Sequence, residues 1–111
     1  MKKLINKIYL GFLHIHILYH ANQSPIYGVW MIDELRDHGY QIGPSHIYPL
    51  LKSFVEEGLL EIEEMIIDGH QRKYYHITSD GRGVLFDLIE KVKELSDELF
   101  ESNKSGGSSH E

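Results

Sequence analysis

Apolar residues recur at Ile47, Leu50, Leu51, Phe54 and Val55, the i, i+3, i+4, i+7, i+8 spacing of one helix face. The opposite stripe holds Ser45, Tyr48, Pro49, Lys52 and Glu56, with His46 and Ser53 beside it. Gly43 and Pro44 suit the start, because proline at the first helical position loses no hydrogen bond. Gly58 suits a left-handed stop. The pattern predicts a short helix with one dry face and one polar face, a shape that fits a DNA major groove. An ordinary surface helix shows the same pattern, so this stretch alone does not decide. Pro49 conflicts with a regular helix, where it would cost about 3 kcal/mol. A first turn from Pro44 to Tyr48 that is bent or 3₁₀-like, with the Ser45 carbonyl turned to solvent, would relieve the conflict.

Leu59 to Ile67 and Gln71 to Thr78 read as two strands around Asp68-Gly69, a strong hairpin signal. With Asp68 and Gly69 as the loop, Leu60 faces Ile77, Ile62 faces Tyr75 and Glu64 faces Lys73. Alternation then predicts a buried face of Leu60, Ile62, Tyr75 and Ile77. Glu61, Glu63, Tyr74 and His76 take the other side, and the tip carries His70, Gln71, Arg72 and Lys73. Lys73 is expected to be partly engaged by Glu64.

Three further helices flank this unit. Leu4, Ile8, Phe12, Ile15 and Tyr19 form one stripe, and Ile5, Leu13 and Ile17 a second, so Lys3 to about His20 reads as a helix buried on more than one side. Lys2 and Lys3 ahead of an apolar run superficially resemble a secretion signal. Asn6, Lys7, His14 and His16 break that run, no small-residue cleavage site follows, and it is too short and polar to span a bilayer. Ala21 to Ser24 reads as a loop. A helix is predicted from about Ile26 to His38, with Gly28, Met31, Ile32 and Leu35 inward and Gly39 ending it. Trp30 lies off that stripe and reads as packing at the domain edge, or else as a pocket wall or dimer contact. Thr78 can cap a last helix, with Ser79 and Asp80 in its first turn. There Leu85, Leu88, Val92, Leu95 and Leu99 step by three and four, with Phe86, Ile89 and Phe100 widening the stripe, and Asp87 and Lys91 form a favourable i, i+4 pair. Such a pattern suits a partner helix.

Helix, turn, helix, then a hairpin with a basic tip is the winged-helix order. The chain therefore reads as mainly α with a small β-hairpin (α+β). Residues 1–78 form a winged helix-turn-helix DNA-binding domain including the N-terminal helix. Residues 79–102 form a C-terminal dimerisation helix, and 103–111 a Gly/Ser-rich disordered tail. More apolar helix surface is present than one small domain covers. A homodimer is expected, with Ile8, Phe12, Ile15, Tyr19, Leu85, Leu88, Ile89, Val92, Leu95 and Leu99 at its interface.

At these residues a resemblance becomes specific. The runs Ile47-Tyr48-Pro49-Leu50-Leu51-Lys52, Glu56-Glu57-Gly58-Leu59-Leu60 and Arg72-Lys73-Tyr74-Tyr75-His76-Ile77-Thr78, together with Gly81 and the earlier Tyr27-Gly28 pair, closely resemble the PadR family of transcriptional regulators. The similarity covers roughly residues 5 to 100. It implies a dimeric winged-helix repressor that answers to a small molecule. The chain departs from the family pattern at Gly43, often serine, at His46, often threonine, and at Ser53, where a second basic residue often follows the lysine. In this reading Ser45, His46, Tyr48, Pro49 and Lys52 face a double-stranded DNA operator. His70, Gln71, Arg72 and Lys73 reach it from the wing. Tyr27, at a helix N-terminus that favours anions, contacts phosphate.

Composition sets limits on this picture. The chain has 111 residues, which suits one domain. Its net charge of −6 argues against a nonspecific nucleic-acid binder. Residues 1–60 hold five Lys/Arg and five Asp/Glu, whereas residues 61–111 hold six and twelve, so the acidity lies in the second half. Cysteine is absent, which fits a cytoplasmic protein and removes disulfides and thiolate metal sites.

Candidate chemistry is sparse. His16 and His20 have the i, i+4 spacing that can bind metal, but no third ligand is fixed in the sequence, so satisfied or solvent-facing histidines are expected and no metal or other cofactor. No phosphate loop or nucleophile elbow points to an enzyme. Two readings remain. One is a sequence-specific repressor. The other is a winged-helix module for protein–protein assembly without DNA binding, which the low basic content favours. Lys52, Arg72 and Lys73 at a reader's positions, with the resemblance, favour the repressor.

Overall fold

The predicted stripes converge on one core. Leu13, Ile17, Leu18 and Ala21 of the first helix meet Met31, Ile32 and Leu35 of the second and Ile47, Leu51 and Phe54 of the third, closed by Ile26, Ile42, Leu60, Tyr75 and Leu85. The structure, a computed structural model, describes residues 1–104. Its elements are α1 (Lys2–Gln23), α2 (Gly28–Asp37), α3 (Pro44–Glu56), β1 (Leu60–Ile67), β2 (His70–Ile77) and α4 (Ser79–Lys104). This is the mainly helical winged helix-turn-helix that the sequence predicts.

The helix-turn-helix is closed by paired Schellman caps. After α2, Gly39 takes φ +89°; its N–H donates to Arg36 O at 2.9 Å and that of Tyr40 to Leu35 O at 3.0 Å. The Arg36 guanidinium then donates to Ile42 O at 3.0 Å and pins the turn. After α3, Gly58 repeats the motif, with Leu59 N–H donating to Phe54 O and Gly58 N–H to Val55 O. Each glycine supplies the left-handed residue that lets the chain reverse without strain.

The first turn expected as bent or 3₁₀-like, Pro44 to Tyr48, is mostly α-helical. The α-helix is continuous from Pro44 to Glu56. The 3₁₀ character is confined to one bond, His46 N–H to Gly43 O at 3.0 Å, beside the regular bond from Ile47 N–H to the same oxygen. Pro49 removes a single donor, the one that would serve the carbonyl of exposed Ser45. The loss falls early in the helix, where buried Ile47 and Leu51 anchor both sides.

The hairpin keeps the predicted register, Leu60 with Ile77, Ile62 with Tyr75 and Glu64 with Lys73. Its loop residues Asp68 (φ 53°) and Gly69 (φ 77°) are both left-handed, as a type I′ turn requires. Ile62 departs from its expected burial and is 43% exposed. The hairpin projects from the body, so only its base, Leu60, Tyr75 and Ile77, meets the core. A second departure explains how the hairpin is anchored. Helix α2 begins at Gly28 rather than Ile26, because Ile26 is extended and bridges Tyr75. Ile26 N–H donates to Tyr75 O at 3.1 Å, and Tyr75 N–H to Ile26 O at 2.7 Å.

Thr78 ties the wing to α4. Its hydroxyl donates to Gly58 O at 2.7 Å and accepts from Gly81 N–H at 2.9 Å. Helix α4 runs on through Lys104, two residues into the segment expected as tail; the rest of that expectation, 105–111, lies outside the described residues. The expected Asp87–Lys91 pair is replaced by Lys91–Glu94 at 3.8 Å and Lys93–Asp97 at 3.5 Å. Trp30 is 38% exposed at the domain edge, edge-on to the His20 ring at 5.5 Å between centroids.

Two glycines in the first turns of α4 separate packing from propensity. A methyl at Gly81 would collide with the Leu59 carbonyl oxygen, whereas one at Gly83 meets nothing within 4 Å. Gly81→Ala is expected to cost about 2–3 kcal/mol. Gly83→Ala should gain about 0.5–1 kcal/mol from helix propensity. Urea unfolding of the two variants checks the contrast in sign.

Candidate nucleic-acid interface

The outer face of α3 carries Ser45, His46, Pro49 and Lys52, all exposed. Their placement follows from the period of the helix, since Ile47, Leu51 and Phe54 take the buried side. Among the described residues Lys52 forms no ion pair, so its ammonium is available. The Ser53 hydroxyl donates to Pro49 O at 3.1 Å and is committed to the helix.

Tyr48 differs from its neighbours on the predicted reading face. Its ring lies against Gly28 at the start of α2, so close that a methyl there would stand 2.5 Å from Cε1, Cζ and the hydroxyl. Tyr48 is 42% exposed and bridges the two helices of the motif while leaving one edge open. Burial, followed by the Tyr48 phenol, raises the Tyr75 hydroxyl above the ordinary tyrosine value and keeps it neutral.

The wing presents His70, Gln71, Arg72 and Lys73. Glu64 does not hold Lys73 as expected. Its Oε1 accepts from Gln71 Nε2 at 2.6 Å, and among the described residues Lys73 has no ion pair. Arg72 is held differently. Its guanidinium carbon lies 4.6 Å from the centroid of the Tyr27 ring, and Tyr74 meets Tyr27 edge-on at 5.3 Å. The Tyr27 hydroxyl is the main cause that raises the Arg72 pKa above its ordinary value. Tyr27, the N-cap residue of α2, thus serves as a platform that aims Arg72. Tyr74 was not singled out from the sequence as part of this group. The signal was available, because alternation along β2 puts Arg72, Tyr74 and His76 on one side. His76 Nε2 lies 2.6 Å from Glu63 Oε1 across the strands and completes that side.

A polar helix face and a wing that carries Arg72 and Lys73, fixed to one core, make up a winged-helix arrangement. Residues 17–87 match the model of the transcriptional regulator PadR-like family. The chain belongs to the PadR-like family of transcriptional regulators. It is similar to the transcriptional regulator Rv3488 of Mycobacterium tuberculosis, 36% identical over 98 residues that cover 88% of this chain and 87% of the relative. Among solved structures it resembles a PadR-like transcriptional regulator from Bacillus cereus, at 31% identity and a TM-score of 0.80, covering 92% of this chain and 99% of that one. A PadR family transcriptional regulator from Eggerthella lenta aligns at 28% identity and a TM-score of 0.75, covering 90% and 88%.

This PadR-like chain leaves a large apolar surface uncovered. On α1, Leu4, Ile8, Tyr9, Phe12 and Tyr19 are exposed; on α4, so are Phe86, Ile89, Val92, Leu95, Leu99 and Phe100. Leu85, expected at a subunit interface, is instead 1% exposed and belongs to the chain's own core. Leu88 and Ile15 are half-buried, and Leu88 packs against that core. Early in α4, Leu85 and Leu88 turn toward the domain while Phe86 stays exposed, and from Ile89 onward the apolar stripe is free. No helix among the described residues is long and apolar enough to cross a membrane.

The Tyr48–Gly28 contact predicts a coupling. Gly28→Ala should destabilise the fold by about 1 kcal/mol by pushing the ring aside. In a Tyr48→Ala background the same change should cost nothing, giving a coupling energy of about 1 kcal/mol in a double-mutant cycle of unfolding free energies.

Proposed function

We propose that this PadR-like regulator is a cytoplasmic repressor that binds a near-palindromic DNA operator as a homodimer. The observation that carries the reading is that the cations of the α3 polar face and of the wing have no carboxylate partners among the described residues. Lys52 lies on α3, and Arg72 and Lys73 on the wing. Two recognition helices, one per subunit, would enter successive major grooves roughly 34 Å apart. Ser45, His46 and Pro49, with the open edge of Tyr48, would meet base edges or nearby backbone, and Lys52 a guanine edge or a phosphate. Arg72, aimed by Tyr27, and Lys73 would hold phosphates or enter the adjacent minor groove, with His70 and Gln71 at the wing tip. The exposed apolar stripes on α1 and α4 support the dimer, because a monomer seldom leaves so much contiguous apolar surface in water. A small-molecule effector bound between the subunits would change the spacing of the two helices and release the DNA.

Two measurements test this reading. Lys52→Ala and Arg72→Ala, made separately, are expected to weaken binding to the protein's own upstream DNA. A lost phosphate contact lowers affinity on all sequences and reduces the salt slope by about 1, whereas a lost base contact costs about 1–3 kcal/mol and relaxes specificity at one position. Few basic groups act per subunit, so the parent slope should itself be moderate. Unchanged affinity in both folded variants would favour the protein-assembly reading. Replacing Val92 and Leu95 together by Glu is expected to give monomer or insoluble protein; an unchanged dimer in sedimentation would move the interface elsewhere.

A further inference from the structure

The fold supplies the third ligand that the sequence leaves open beside His16 and His20. His38, the C-cap residue of α2, comes from a different helix to meet them. One ring nitrogen from each of the three lies within 4.8 Å of the other two, the one such group of metal-ligating side chains among the described residues. The His16 ring centroid stands 4.9 Å from that of His38 and 6.1 Å from that of His20. Glu34 lies against the group, its Oε2 3.2 Å from His38 Nε2 and 3.6 Å from His20 Nε2.

Packing alone gives little reason for this gathering. His20 Nε2 is buried and has no hydrogen-bond partner, because the Glu34 oxygen is beyond hydrogen-bond reach. An unsatisfied buried nitrogen is costly. Burial holds His16 and His20 below the ordinary histidine value. His38 and His20 add to the shift at His16, while Glu34 opposes it at both residues. Around a tetrahedral ion with bonds of about 2.0–2.1 Å, ligand atoms stand about 3.3 Å apart. The three nitrogens need therefore draw together by no more than about 1.5 Å, which side-chain rotation can supply. His38 also lines an open groove of about 1100 Å³ between α1 and the helix-turn-helix, and its ring is exposed to solvent.

We propose that His16, His20 and His38 form a binding site for a borderline divalent transition-metal ion such as Zn²⁺, with Glu34 as the carboxylate that orients the imidazoles and offsets the charge of the ion. Imidazole ligands suit Zn²⁺, Ni²⁺ and Cu²⁺ rather than Mg²⁺ or Ca²⁺. An occupied site clamps the end of α2, where the turn to α3 begins, onto α1. This inference does not depend on DNA binding.

The test is Zn²⁺ titration of the chelator-treated full chain against a chromogenic competitor, with Co²⁺ absorption reporting tetrahedral nitrogen ligation. A single ion per chain and a raised melting temperature are expected. His16→Ala, His20→Ala and His38→Ala should each weaken binding by more than about 100-fold, and Glu34→Gln by about 10–100-fold, the range for outer partners of a metal site. His76→Ala, on the wing, should leave it unchanged. His38 is exposed at a helix end, so His38→Ala keeps the test valid if the α1 variants fail to fold. Failure of the parent chain to bind Zn²⁺ at micromolar concentration, full affinity in folded His38→Ala, or equal loss in His76→Ala would overturn the site.

Discussion

Two backbone hydrogen bonds between Ile26 and Tyr75 hold the wing to the helix-turn-helix, and the arrangement of the wing against α2 depends on them. A two-stranded hairpin is at best marginal in water. The bridge adds a short third edge to it, at residues that are 1% and 5% exposed. Water competes poorly there, so each bond keeps its net value of about 1 kcal/mol, and an unmade one would leave a buried donor or acceptor unpaired. The bridge also fixes register. A slip of one residue along β2 would turn every wing side chain to the opposite face. With Ile26 locked to Tyr75, Tyr27 falls beside β2 and its ring meets Arg72 and Tyr74. The positions of the helix N-terminus and the wing cation are thus set by one peptide pair.

The features legible in the sequence are those governed by local period and local turn chemistry. The inner face of α3, its glycine stop, the hairpin register and the Thr78 cap all rest on residues within a few positions of one another, and the structure holds each of them. The features that escaped rest on residues far apart in the chain. Ile26 reads as helical because Pro25 precedes it; what keeps it extended is a strand fifty positions on. Tyr48 sits on the polar stripe of α3, yet its ring is drawn to α2 because Gly28 has no side chain to exclude it. Ile62 shows the same gap from the other side. Alternation assigns its face correctly, but how far the core extends along the hairpin is a tertiary fact. His38 could not be joined to His16 and His20, because the meeting depends on how α1 crosses the end of α2.

Net charge is a poor guide to a molecule of this shape. The body extends 60 × 31 × 24 Å, and the acidic excess lies in the second half of the sequence, with Asp87, Glu90, Glu94, Asp97 and Glu98 all along α4. Screening in physiological salt acts over about 8 Å, so carboxylates well along a helix of this length exert little field on Lys52. Two of the α4 lysines, Lys91 and Lys93, are drawn into exposed pairs with their own helix. Such pairs add little stability, and among the described residues Lys52, Arg72 and Lys73 stay outside any ion pair, as do Lys2, Lys3 and Lys7 of α1 and Arg82 of α4.

Helix α1 joins these surfaces, because three of its sides have different neighbours. Leu13, Ile17, Leu18 and Ala21 enter the core, so its C-terminal half is as fixed as the helix-turn-helix itself. Leu4, Ile8, Phe12 and Tyr19 lie on a side that the chain does not cover. His16 and His20 face the end of α2. A helix apolar on more than one side needs more than one packing surface, and the fold provides only the first. Whatever covers the second side is joined through one rigid helix to the core that seats α3. The C-cap of α2 touches the same helix one turn before α3 begins. Displacement of α1 would therefore be transmitted to α3 by side chains packed close together rather than by a flexible linker, which gives a physical route from the uncovered apolar side to the polar face of α3.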